Sequence, residues 1–191
     1  ASIPVRSAAT ADPSLSALSV FFLVWALFAT GYIAFSGFAT LRLLRLLRGA
    51  ALIEGSRPAD YALRRGVRIY RTSRISVPLT VGILPRRIYV PAHWDRWTEE
   101  CRMAAVRHEL AHIERRDSVI QVLQIFVQAL YFFHPLVWLL DARLKRYRER
   151  ACDRYALAQS RTSAAAYGRN LVRLAENMVQ RQVSLLTASS L

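Results

Sequence analysis

The sequence predicts an α+β fold, mainly helical, in which an N-terminal transmembrane helix leads into a domain with a small β-sheet and a helical hairpin. Three observations predict it: an uncharged run over 14–41, a β-branched block punctuated by Gly and Pro over 67–91, and helical periodicity from Thr98 onward. At 191 residues the chain has room for one domain with a core and hardly for two. A hydrophobic content of 53% and a mean hydropathy of +0.18 exclude a disordered chain. The net charge is +14, from 27 Lys+Arg against 13 Asp+Glu, and Lys145 is the single lysine. A basic excess on an apolar chain suits nucleic acid or the anionic cytoplasmic face of a membrane. Cys101 and Cys152 are too few for a disulfide framework and do not form a CxxC knuckle.

The run SLSALSVFFLVWALFATGYIAFSGFATL holds 28 residues from Ser14 without a charge, whereas a helix crosses a bilayer core with about 20. A cleaved signal peptide would have a shorter apolar region with its basic stretch in front. Here Arg42, Arg45 and Arg48 come after the run, which places that end in the cytoplasm and residues 1–13 outside the cell membrane. The sequence starts at Ala1 and ends VSLLTASSL, so we expect a fragment with flanking membrane segments missing and a final domain that continues further.

Residues 42–66 read as a basic juxtamembrane helix and linker, with the leucine pairs and arginines of RLLRLLR set against lipid phosphates. Residues 67–191 form the next domain. Within it VRIYR, SVPLTVG and RRIYVP read as two or three strands, and Pro78 demotes the second to a sheet edge or a bulge. Thr98 is the expected N-cap for a helix through CRMAAVRHELAHIERR, its dipole complemented by Glu99 and Glu100. Helices are then expected over 118–133, 136–159 and 163–181, the last with Tyr167, Leu171, Leu174 and Met178 on a core face.

His108-Glu109-Leu110-Ala111-His112 is an HExxH sequence inside the expected helix. The spacing of four puts both imidazoles on one face, able to bind one Zn²⁺, with Glu109 beside them as a general base for hydrolysis. A third protein ligand is needed, and the candidates are His93, His134, Glu149 and Asp153. Glu149 and Asp153 make a second i,i+4 pair, suited to one carboxylate on the metal and another steadying a ligating histidine. Without the HExxH, Glu149 would read as a solvated charge in a very basic helix.

A second uncharged run, over 118–140, has 23 residues and is long enough to span a membrane. As one helix it would hold its ends about 34 Å apart and keep His112 away from Glu149. Yet it carries Gln121, Gln124 and Gln128, is broken at His134-Pro135, and has arginines at both ends. A helical hairpin turning near 131–134 fits better and brings the HExxH level with Glu149 and Asp153.

With HELAHIERRD, FFHPLVW and RERACD in that order, and SVPLTVGILPRRIYVP ahead of them, the chain resembles the BlaR/MecR-type antirepressor membrane zinc metallopeptidases over roughly 41–178. The resemblance implies a gluzincin-like fold and a peptidase domain on the cytoplasmic side of a bacterial inner membrane. It implies His108, His112 and Glu149 as Zn²⁺ ligands, Glu109 as catalytic base and Asp153 as support. It also implies cleavage of a cytoplasmic regulatory protein, such as a transcriptional repressor, and self-cleavage. Asp117 falls on a motif position as well, where capping of the next helix accounts for it. His134 stands where many relatives have Asn, which makes it a candidate extra site residue, though a cap or brace for the turn is the favoured expectation; Cys152 reads as a small buried residue. The expected partners are the bilayer and a protein substrate, with room for a homodimer and no direct nucleic acid. Competing readings are an HtpX-like quality-control metallopeptidase and a non-catalytic membrane signalling or scaffold module.

Overall fold

The computed structural model describes residues 16–82, 86–159 and 168. Helix α1 (Ala17–Leu46) is capped by Ser16, whose side chain accepts from the Ser19 N–H. It is long and apolar enough to cross a membrane, and almost none of its apolar stretch is buried by the rest of the chain. The expected basic helix is therefore the end of α1 itself.

The linker expected after α1 is instead built of regular elements. Strand β1 (Ala51–Ile53) and helix α2 (Arg57–Leu63) lead into β2 (Arg68–Thr72), β3 (Leu79–Val81) and β4 (Arg87–Pro91). Gly49 and Gly55 take φ +80° and +67° on either side of β1, a left-handed backbone that turns the chain back at little cost only for glycine. The sheet order is β1-β2-β4-β3, with β2 and β4 parallel and the two outer strands antiparallel to their neighbours. Strand β3 thus lies at the edge of the sheet, as Pro78 predicted.

A short 3₁₀ turn (Ala92–Arg96) precedes α3 (Glu99–Glu114), whose N-cap Thr98 accepts from the Cys101 N–H at 3.3 Å. Val106, Leu110 and Ile113 form one stripe of α3 and bury against Ile69, Ile88 and Val90 of the sheet, with Trp94 and Ala62 closing the core. Each such fully buried aliphatic side chain stabilises the fold by about 1.5–3 kcal/mol. The opposite face of α3 is left for α5.

Helices α4 (Asp117–Leu130) and α5 (Pro135–Ala158) form the expected hairpin, turning at 131–134. His134 caps α5, its ring nitrogen accepting from the Leu136 N–H at 3.3 Å, which is the bracing role expected of it. The amphipathic helix expected over 163–181 lies outside the described residues, save Gly168.

Candidate metal centre

Helix α3 positions three of the expected residues. The stripe that faces the sheet is apolar, so the helix turns His108 and His112, one turn apart, toward α5. Ala104 of α3 packs on Ala156 of α5, and these small side chains let the two helices approach closely. Glu149, Cys152 and Asp153, a turn or two earlier on α5, then come alongside the histidines.

The ligand atoms of His108, His112 and Glu149 all lie within 4.8 Å of one another. The two Nε2 atoms are 3.2 Å apart, and Glu149 Oε2 is 3.6 Å from His108 Nε2. Behind them, His108 Nδ1 is 3.0 Å from Asp153 Oδ1 and His112 Nδ1 is 2.8 Å from Asp117 Oδ2. Each carboxylate accepts a Nδ1–H, which assigns both tautomers and leaves both Nε2 atoms as bare acceptors. In that tautomer two ring lone pairs and a carboxylate oxygen converge. Such a donor set fits a divalent cation.

Glu109 leaves the helix on the side of the sheet edge and is almost fully buried. The Thr80 hydroxyl on β3 donates to Glu109 Oε2 at 2.7 Å. Burial pushes the Glu109 carboxyl above its ordinary range, while the Thr80 hydrogen bond and the two imidazoles pull it partly back. Glu149 and Asp153 have half-exposed side chains, so the site opens to solvent on the α5 side.

Of the other candidates, His93 lies in the 3₁₀ turn with its ring edge-on to Trp97, and it joins no metal-sized group among the described residues. The capping role expected of Asp117 is corrected. The N-cap of α4 is Arg116, and Asp117 is the first helical residue. Arg116 adopts φ +58°, a left-handed conformation that reverses the chain between α3 and α4 and swings Asp117 back under His112. Asp117 is buried, accepts hydrogen bonds from the His112 ring and, at 3.6 Å, from the Cys152 thiol, and has Arg115 Nε 3.6 Å from its second oxygen. Thr80 gives no signal in the sequence, because a threonine in a strand has no chemical signature until its neighbour is known. Cys152 is fully buried and free, and burial together with Asp117 pushes its thiol up to about 12.

The family model described as BlaR1 peptidase M56 matches residues 4–190. Regulatory protein BlaR1 of Bacillus licheniformis is 24% identical over 181 residues, which cover 90% of this chain. The chain spans only 30% of that relative's length. With the match running over nearly its whole length, the chain belongs to the BlaR1 peptidase M56 family.

Proposed function

We propose that the chain is a membrane-anchored, zinc-dependent endopeptidase whose catalytic domain faces the cytoplasm, where it cleaves a repressor-like regulatory protein and itself. The observation that carries the reading is the meeting of His108, His112 and Glu149 from two helices, with Asp117 and Asp153 holding the imidazoles. His108, His112 and Glu149 would hold Zn²⁺, and Asp153 would keep His108 in its ligating tautomer. The ion, when bound, supplies a Lewis acid for the scissile carbonyl.

The remaining chemistry belongs to the chain. Glu109, with its proton affinity raised by burial, takes a proton from the attacking water and delivers it to the departing amine. Thr80 fixes which oxygen of Glu109 is available for this. Strand β3, at the sheet edge and next to Glu109, offers main-chain groups to an extended substrate segment added as a further strand. The arginines Arg42, Arg45 and Arg48, at and just beyond the end of α1, support a cytoplasmic side for this machinery.

The test is zinc content of the detergent-purified chain, for the parent and for Glu149→Ala and Glu109→Gln. About one zinc per chain is expected in the parent, largely lost with Glu149→Ala and kept with Glu109→Gln. Self-cleavage products should vanish in Glu109→Gln. A folded parent without zinc would overturn the enzyme reading, and full retention in Glu149→Ala would put the third ligand elsewhere.

A further inference from the structure

The hairpin of α4 and α5 touches α1 at an unexpected level. The Trp25 indole N–H donates to the Leu130 carbonyl at 3.0 Å, and the Tyr32 hydroxyl meets Gln128 Oε1 at 2.6 Å. Phe28 stacks on Phe132, and Tyr32 packs edge-on to Trp138. Residues 25–32 are the centre of the uncharged run of α1, and their partners are the tip of the hairpin. If the middle of α1 lies in the middle of a bilayer, whatever packs against it lies there too.

We propose that the α4–α5 hairpin is a re-entrant membrane insertion. It enters the bilayer from the side of Arg42, Arg45 and Arg48, turns at 131–134 near the midplane and returns to the same side. The proposal rests on α1 crossing the membrane, and its occupant is the lipid bilayer itself.

Three observations agree. First, the hairpin carries an apolar surface that the described residues leave uncovered: Leu123, Phe126, Phe133, Leu136, Leu139 and Leu140 are all exposed, Leu123 by 63%. Second, the two glutamines nearest the tip, Gln124 and Gln128, find partners inside the protein, as hydrocarbon demands. Gln128 is taken by Tyr32, Gln124 donates to Asp141 at 2.8 Å and accepts from Arg148 at 3.0 Å, and the open carbonyls of Leu130 and Phe132 receive the indole N–H groups of Trp25 and Trp138. Third, the lengths match. Helix α4 has 14 residues and is about 21 Å long, and about 24 Å of α1 separates Trp25 from Leu41. The base of α4, with Arg115 and Arg116, therefore comes level with Arg42 at the headgroups, and Arg146 on α5, about 17 Å from Pro135, is long enough to snorkel there.

The consequence is positional. His112 and Asp117 sit at the foot of the hairpin, so the metal centre lies at the membrane surface and favours substrate segments that run close to it.

The four tryptophans make the test. The full chain is reconstituted in phosphatidylethanolamine–phosphatidylglycerol vesicles whose acyl chains are brominated near mid-chain, and tryptophan quenching is measured for the parent, Trp25→Phe and Trp138→Phe. Trp94 and Trp97 are buried in the sheet core and supply the unquenched background. Quenched emission that falls in both variants supports the insertion. Because Trp138 also bonds to Phe132, Leu123→Trp serves as a second reporter at an exposed position, and its added emission should be quenched by the same lipid. Loss in Trp25→Phe alone, with Leu123→Trp unquenched, would overturn the proposal and leave α1 as a simple anchor; a second copy covering the hairpin would give this result. Quenching that depends on neither tryptophan would overturn the α1 span as well.

Discussion

Asp117 Oδ2 lies 2.8 Å from His112 Nδ1, across the reversal between α3 and α4. Five residues separate them in sequence, and the left-handed Arg116 is what brings the carboxylate back beneath the ring. The same relation holds between Asp153 and His108 at 3.0 Å, but Asp153 is much the more exposed of the two carboxylates. Solvent weakens a hydrogen-bonded charge, so the buried partner should matter more. Asp117→Ala is expected to weaken zinc binding by about 10–100-fold, and Asp153→Ala by less. Competition against a chelating dye checks both, and an Asp117→Ala affinity equal to the parent's would remove the orienting role.

Glu109 couples stability to pH in the metal-free chain. Its folded carboxyl titrates above the ordinary value of 4.5 because it is buried. The folded state therefore holds the proton more tightly than the unfolded state. Stability from this group is complete below about pH 4.5 and is lost as pH rises through the folded value. Glu109→Gln removes the titration, so with chelator present it should be the more stable chain at neutral pH. The advantage should fade toward pH 4. Melting curves across that range test it, and a variant less stable at pH 7 than at pH 4, relative to the parent, contradicts it.

Thr80 acts on the same carboxyl from the sheet edge. Its hydroxyl stabilises the ionised form, so Thr80→Val should raise the Glu109 titration further. In the proposed role of general base Glu109 must be ionised to work, so the acid limb of a self-cleavage rate profile should move to higher pH. Zinc content should stay as in the parent, which separates this effect from damage to the metal centre.

Both thiols should resist reagents while the chain is folded. Cys101 and Cys152 are buried, and the Cys152 thiol is pushed up to about 12, so it carries almost no thiolate at pH 8. Iodoacetamide at that pH is expected to leave both unmodified in the native protein and to alkylate both after denaturation, as read by intact mass. Rapid native modification at Cys152 would show that the foot of the hairpin opens readily.

Much of this architecture follows from local rules that a sequence carries openly. A run without charge made α1, Thr98 opened α3, Pro78 put β3 at the edge, and His134-Pro135 broke an uncharged run into two helices. The HExxH lay on a helix whose other stripe is apolar, so its direction was determined once a core existed. The pairing of His112 with Glu149 could also be reached in advance, because a hairpin with arms of similar length leaves its two feet together.

Three features depended on the tertiary structure, for one physical reason: each is set by a partner distant in sequence or by a backbone conformation with no side-chain signal. Ala51–Ile53 looks like the end of a leucine-rich helix and becomes a strand because β2 offers it a ladder between two left-handed glycines. Asp117 resembles a helix cap until Arg116 turns the chain left-handed and exchanges capping for a bond to His112. Thr80 is one more β-branched residue until β3 is laid beside Glu109. Composition and spacing determined which residues could hold a metal. Folding decided which neighbours orient them and tune the Glu109 carboxyl, because those bonds exist only once separate elements are packed together.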